Sequence, residues 1–449
     1  MSYDDYLRDH EERLIGSLES FVEIPSVSTS GADMGPAVAF LERELGEAGF
    51  AVELLETDGN PVVYGEAGDP GDGFDVLVYG HYDVFPADDE SAWRTPPFRP
   101  TRVDGRLYGR GTGDNKGQLL AHIQAVRMLR ELRGALPGRV KVLIEGEEEI
   151  GSRSLPHVVK RNRDRLAADL CFYSDGPMFP GDQPIVLFGV RGAVVIELVV
   201  RGAGRVLHSG NFGGAAPAPA LELCRLLASM VDADGKMLVE GINDGVPELS
   251  EAERAALAEL PNPQGEFEQE LGVPPVATGH ELYERLQLRP NFNLAGIASG
   301  WAGEGVRPII PNEARAKVDI RLVGDQDPAG VVDAIRRHID AHGFRSVEVT
   351  QLVGQPASKT PLDHPYVPKV RAAVEAGFGT SPLLVPGLGG TTPEYVFTKI
   401  LGLPTFSIPY APYDESNHAP NESTKLSLYF GGIKTTAALL TGLAEKGSG

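Results

Sequence analysis

The chain has 449 residues, 42% hydrophobic and 23% charged, which suits two or more globular domains with real cores and excludes a disordered chain. Lys and Arg number 41 against 63 Asp and Glu, and the formal charge of -22 repels nucleic-acid phosphates and anionic lipid, with no local basic patch to offset it. No apolar run approaches the roughly 18 residues a membrane span needs. Residues 1–5 open an acidic amphipathic segment with none of the parts of a secretory leader, so the expected address is the cytoplasm.

Leu7, Leu14, Ile15, Leu18, Phe21 and Val22 recur at helical spacing until Pro25, and Val38, Phe40, Leu41, Leu45 and Ala48 repeat the pattern before Gly49. The runs at 76–79, 140–144 and 170–173 are nearly continuous in apolar residues, as parallel strands covered on both faces should be. A helix is predicted between the first two, from Gly117 to Leu132. Cys171 and Cys224 sit inside apolar stretches, which predicts two reduced core thiols rather than a disulfide framework.

Around Val190 the pattern changes to alternation (Val194, Ile196, Leu198 and Val200 against Val195, Glu197 and Val199), which suits an antiparallel sheet. Helical spacing follows at 220–231, then a polar, proline-punctuated stretch at 232–290 with a short helix after Ser250. Strands are predicted at 315–322 and 346–353 with a helix at 328–342 between them. After about residue 360 the α/β alternation resumes, with a helix near 366–377, strands near 382–385 and 405–408, and a closing helix from about 425. The expected fold is therefore α/β, a mainly parallel sheet sandwiched by helices at 1–189 and 357–449, interrupted by an inserted α+β domain at 190–356.

Several metal-ligating residue types stand just past predicted strand ends, the edge where open α/β sheets bind ligands. They are His81, Glu148 and Asp175; Asp114, in the glycine-rich turn at 109–117, can reach the same crevice and bridge two cations. That turn fails the phosphate-loop pattern, because Lys116 precedes Gly117 instead of following the spacer. His418 opens the segment His418-Ala419-Pro420-Asn421-Glu422. Two divalent cations are balanced by Asp114, Glu148, Asp175 and a shared hydroxide, with His81 and His418 neutral, and imidazole with carboxylate suits zinc best, cobalt or manganese being alternatives. Asp83, two residues beyond His81, is placed to accept its second ring N–H. Glu147 is expected to point away from the ligand Glu148 and to take a proton from water.

These segments resemble the co-catalytic zinc metallopeptidase family of carnosine-type dipeptidases, glutamate carboxypeptidase, aminoacylase, acetylornithine deacetylase and succinyl-diaminopimelate desuccinylase. The resemblance covers nearly the whole chain and is nearest the dipeptidase branch. It implies His81 and Asp175 on one metal, Glu148 and His418 on the other, Asp114 bridging before a cis peptide to Asn115, and Glu147 as general base. It further implies that His208, in His208-Ser209-Gly210-Asn211-Phe212-Gly213-Gly214, stabilises the oxyanion in the partner subunit's site through a dimer of inserted domains. Arg321 would bind a substrate carboxylate, for which a planar fork of donors is suited. His364, Gly390 and Thr391 fall where relatives line the substrate pocket. Pro308 departs from the pattern, standing where relatives place a hydroxyl or amide side chain, and proline donates nothing.

The expected activity is a two-zinc dipeptidase acting on small peptides as a cytoplasmic homodimer, with no nucleic-acid or membrane partner. An N-acyl-amino-acid deacylase or carboxypeptidase is the rival reading, and a metal-binding scaffold without turnover a third.

Overall fold

A computed structural model describes residues 1–69 and 73–444. Contacts divide them into two units, Met1–Gly189 with Thr360–Pro386 and Thr392–Gly449, and Val190–Lys359 with Gly387–Thr391.

The first unit is built on an eight-stranded sheet in the order Ala51–Leu55, Val62–Ala67, Arg139–Glu145, Asp75–His81, Leu170–Tyr173, Thr405–Ser407, Ile185–Leu187, Leu383–Val385. Its centre, from Arg139–Glu145 through Thr405–Ser407, is parallel, and Leu383–Val385 runs parallel to Ile185–Leu187. The three remaining pairings are antiparallel. The predicted central strands are buried along almost their whole length, because helices cover both faces. Helices Lys116–Arg133 and Gly35–Ala48 pack on one face. On the other, Leu155, Val158, Val159, Val396 and Phe397 close over Leu77, Tyr79, Leu143 and Tyr173.

The architecture is thus the expected helix-covered, mainly parallel sheet. Two antiparallel strands at its edge, Ala51–Leu55 and Val62–Ala67, had no clear sequence signal. The first is largely exposed, and the second carries Gly65 where Val142 and Phe50 leave no room for a side chain.

The second unit holds an antiparallel sheet in the order Asn291–Ser299, Glu313–Leu322, Gly192–Arg201, Val347–Gln355. Helices Pro219–Met230 and Pro328–Ala341 seal one face, burying Val194, Ile196, Leu198, Val200, Ala316, Val318 and Ile320 with Leu223, Leu226 and Ile335. The strict alternation of Glu313–Leu322 sends Arg315, Lys317, Asp319 and Arg321 to the opposite face. Asn291–Ser299 forms an exposed edge of that sheet. Of the two cysteines, Cys171 is buried as expected. Cys224 is exposed, because it projects from the outer side of Pro219–Met230.

Candidate metal centre

The centre assembles where the parallel strands end. His81 is the last residue of Asp75–His81, and Asp175 lies two residues beyond Leu170–Tyr173. The turn carrying Asp114 is pinned by Glu422, whose buried carboxylate accepts the backbone N–H groups of Gly111, Gly113 and Asp114 at 2.9 to 3.1 Å. Arg110 pairs with the same carboxylate at 2.7 Å, so this buried charge is both neutralised and fully hydrogen-bonded. Gly111 takes a left-handed φ of 91°, which a side chain would resist. From helix Lys116–Arg133, Gln118 donates to the carbonyls of Gly113 and Gly176, while Asn115 donates to Ser174. The loops bearing Asp114 and Asp175 are therefore stitched together. The Asp114–Asn115 peptide is cis, as the resemblance implies.

Two donor triads result, and they share one carboxylate. His81, Asp114 and Asp175 offer ligand atoms within 4.8 Å of one another, as do Asp114, Glu149 and His418. His81 Nδ1 lies 3.0 Å from the backbone oxygen of Asp83 and 3.4 Å from its Oδ1. Assigning the ring proton to Nδ1 leaves a bare lone pair on Nε2, 3.1 Å from Asp114 Oδ1 and 3.9 Å from Asp175 Oδ2. Nε2 is buried and lacks a hydrogen-bond partner. An acceptor facing carboxylate oxygens in a dry place needs a cation between them, so these residues fit a metal. In the second triad, His418 Nε2 lies 3.0 Å from Asp114 Oδ2 and 3.1 Å from Glu149 Oε2, with its ring stacked on Phe85.

Protonation reports the same surplus of negative charge. Hydrogen bonds to Asp114 and Glu149 push the pKa of His418 up to about 10. Burial, with Asp114 nearby, pushes Asp175 up to about 7. Burial also raises Glu148 well above the carboxylate range, with Asp175, Asp114 and Glu149 adding to the effect. Burial opposes ionisation of Asp114 too, but the imidazoles of His418 and His81 beside it outweigh burial and hold its carboxyl low.

The structure brings a different glutamate to the second triad from the one expected. Glu149, not Glu148, joins Asp114 and His418, while Glu148 lies half-buried among the charges of the two triads. Glu147 is occupied elsewhere: its Oε1 accepts from Asn60 N at 3.1 Å and its Oε2 from Ser154 N at 2.9 Å. The physical reason is the turn. The strand ends at Glu145, and Glu148–Ile150 forms a 3₁₀ turn, so successive side chains rotate by about 120° instead of alternating as in a strand. Asp83 braces this turn, its carboxylate accepting Glu148 N and Glu149 N at 3.2 and 3.1 Å. Charge counting could not detect the shift, since any one of the three glutamates balances the site equally.

The other candidates lie outside the triads. His208 is exposed, its Nδ1 accepting Gly210 N. His364 accepts Tyr366 N and packs against Tyr366 and Phe406. Arg321 donates to Thr391 at 2.9 Å and pairs with Asp319 at 3.1 Å, and Gly390 O accepts Arg191 N. Pro308 contributes its carbonyl to Ser209 N, and Arg307 stacks on Trp301 at 3.6 Å.

Comparisons with known proteins agree with this chemistry. The description "Peptidase family M20/M25/M40" matches residues 77–442. The Beta-Ala-His dipeptidase of Rattus norvegicus is 30% identical over 470 residues, spanning 99% of this chain and 95% of that one. The Cys-Gly metallodipeptidase DUG1 of Saccharomyces cerevisiae is 28% identical, with 95% of each chain covered. The crystal structure of the M20 family metallo-carboxypeptidase Sso-CP2 from Sulfolobus solfataricus superposes with a TM-score of 0.87 at 31% identity, over 96% of this chain and 99% of that one. With a family match over most of its length and two acid–imidazole triads joined by one aspartate, the chain belongs to peptidase family M20/M25/M40 and is a metal-dependent peptidase.

Proposed function

We propose that this chain is a dinuclear zinc dipeptidase that releases amino acids from small unblocked peptides. The observation that carries the reading is the pair of triads meeting at Asp114, with Glu148 half-buried beside them and unclaimed by the scaffold donors that occupy Glu147. When bound, the two metals would polarise the scissile carbonyl and make water more acidic. His81, Asp114 and Asp175 would hold one of them, and Asp114, Glu149 and His418 the other; imidazole with carboxylate favours zinc over cobalt or manganese.

Glu148 is the general base. Desolvation raises its proton affinity above that of an ordinary carboxylate, which favours taking a proton from water and returning it to the leaving amine. Asp83 orients His81 and the Glu148–Ile150 turn together, coupling ligand and base geometry. His208 steadies the oxyanion of the partner subunit's reaction, and Arg321, with the loop containing Gly390 and Thr391, receives the substrate carboxylate. His364 lines the pocket in this reading.

The inserted unit, residues 190–356 by the sequence boundaries, serves dimerisation. Its exposed edge strand Asn291–Ser299, with Leu294 and Ile297 open to solvent, supports that role. Two unpaired cysteines agree with a reducing, cytoplasmic setting, and among the described residues no helix is long and apolar enough to cross a membrane. The test is turnover by metal-reconstituted protein on matched unblocked and N-acylated dipeptides. Release of amino acids from the unblocked set supports the proposal; hydrolysis confined to the acylated set replaces it with a deacylase, and cleavage confined to longer peptides with a carboxypeptidase.

A further inference from the structure

Arg191 immediately precedes strand Gly192–Arg201 and is 95% buried, yet its Nη1 has no hydrogen-bond partner. Its Nε donates to Gly389 O at 2.8 Å and its backbone N–H to Leu388 O and Gly390 O at 3.2 Å each. Arg321 sits on the neighbouring strand, one register position from Arg191's end of the ladder, and donates to Thr391 of the same loop. Two guanidinium groups are thus tied to one short glycine-rich loop. Only one carboxylate, Asp319, accompanies them. Asp319 pairs with Arg321 through Oδ2, and its Oδ1 is itself buried without a partner.

This arrangement is expensive as it stands. Two positive charges against one negative leave a net positive charge, with Arg191 buried and Arg321 and Asp319 partly exposed, within a chain whose overall charge is -22. Burial, with Arg321 nearby, lowers the pKa of Arg191 to about 10. A buried N–H aimed at nothing loses its water without gaining a bond. A planar anion with two oxygens supplies the missing charge and the missing acceptor at once, and guanidinium forks suit that shape. An aliphatic end supplies neither, and an amide end supplies one acceptor oxygen without the charge or the second oxygen.

We propose that Arg191 and Arg321 form one two-pronged site for the terminal carboxylate of the substrate, and that Arg191 is a specificity-determining residue for peptides that end in a free acid. The proposal rests on the reading of Arg321 given above and extends it to a residue whose sequence context, Gly189-Val190-Arg191-Gly192, carries no ligand motif. Asp319 holds Arg321 in place and limits the site to one added negative charge.

The test compares kcat/KM for a dipeptide and for its C-terminal amide in the metal-reconstituted full chain and in Arg191→Gln, Arg191→Lys and Arg321→Gln. The acid-over-amide ratio is the readout, because a purely structural defect lowers both substrates alike. Arg321→Gln and Arg191→Gln should each cut the ratio about thirtyfold or more, as loss of one partner from a buried charged pair does. The loss should appear chiefly in KM. Arg191→Lys, which keeps the charge but not the fork, should fall between wild type and Arg191→Gln. A collapsed ratio in Arg321→Gln with an unaltered ratio in Arg191→Gln overturns the role of Arg191 and leaves that of Arg321 intact. An unaltered ratio in Arg321→Gln overturns the reading of Arg321 and the two-pronged site with it. Should Arg191→Gln fail to fold, Arg191→Lys decides: a wild-type ratio there contradicts the proposal, and a reduced one supports it.

Discussion

Each of the two units gathers a polar cluster, and the clusters are opposite in character. In the first unit the carboxylates of Asp114, Asp175 and Glu149 crowd around His418 and the unpartnered Nε2 of His81, with Glu148 adding a further carboxyl. In the second, Arg191 and Arg321 converge as donors with one carboxylate between two cations. What each cluster lacks names its ligand: a crowd of acceptors requires a cation, and a surplus of donors requires an anion. The Glu422 carboxylate, by contrast, has both oxygens occupied by Arg110 and three backbone N–H groups and is scaffold.

That contrast can be broken most severely at Asp114, the residue both triads share. Asp114→Asn removes a charged ligand from each, so metal retained after dialysis, read by elemental analysis, should fall by more than half and activity should nearly vanish. Next comes Glu148→Gln, which leaves the triads intact. Its kcat should drop about 10²- to 10⁴-fold, as for loss of a general base, with metal content unchanged. A variant that loses metal instead would make Glu148 a ligand.

Glu422→Gln tests the scaffold that holds Asp114. Weakening the charged acceptor of three backbone N–H groups should cost roughly 10- to 100-fold in metal affinity, measurable by competition with a chelator.

A milder test uses pH on the metal-free protein. His418 is raised from 6.5 to about 10 and Asp175 from 3.8 to about 7, so in both cases the folded state holds protons that the unfolded state has released. Asp175 contributes stability that is full below about pH 3.8 and lost as pH rises through about 7; His418 contributes stability full below about pH 6.5 and lost through about pH 10. The melting temperature of the metal-free chain should therefore be lower at pH 9 than at pH 6. Bound metal replaces those protons, so the gap between loaded and metal-free protein should widen as pH rises. A metal-free chain that melts higher at pH 9 would contradict this.

Smallest in its effect on chemistry is Glu147→Gln. The change weakens bonds from Asn60 and Ser154 and should cost about 1–3 kcal/mol of stability by chemical denaturation, while kcat per folded molecule stays within a few-fold. Set beside Glu148→Gln, it separates scaffold from catalyst in adjacent residues of the same type.

Much of this was legible in the sequence because its causes are local or periodic. Strands buried on both faces show as apolar runs, and His81 and Asp175 stand at the ends of such runs. What escaped depends on geometry that spacing does not encode. The run of three glutamates reads as the end of a strand, but the chain turns into a 3₁₀ segment after Gly146 and brings Glu149, rather than Glu148, beside Asp114 and His418. Asn291–Ser299 escaped because it is an exposed edge strand whose register shifts between Leu294 and Gly296, so its apolar residues Phe292, Leu294 and Ile297 keep no regular alternation. Arg191 stayed silent because its meaning lies in a missing partner, which appears only once the chain is folded.

The most direct measurement is anomalous diffraction from crystals of the zinc-loaded protein. The account predicts two peaks joined by Asp114, one bonded to His81 and Asp175 and the other to Glu149 and His418 at about 2.0–2.2 Å, with the Glu148 carboxylate free of direct coordination. A peak coordinated by Glu148 with Glu149 turned away, or the absence of any peak between Asp114 and the two histidines, would contradict it.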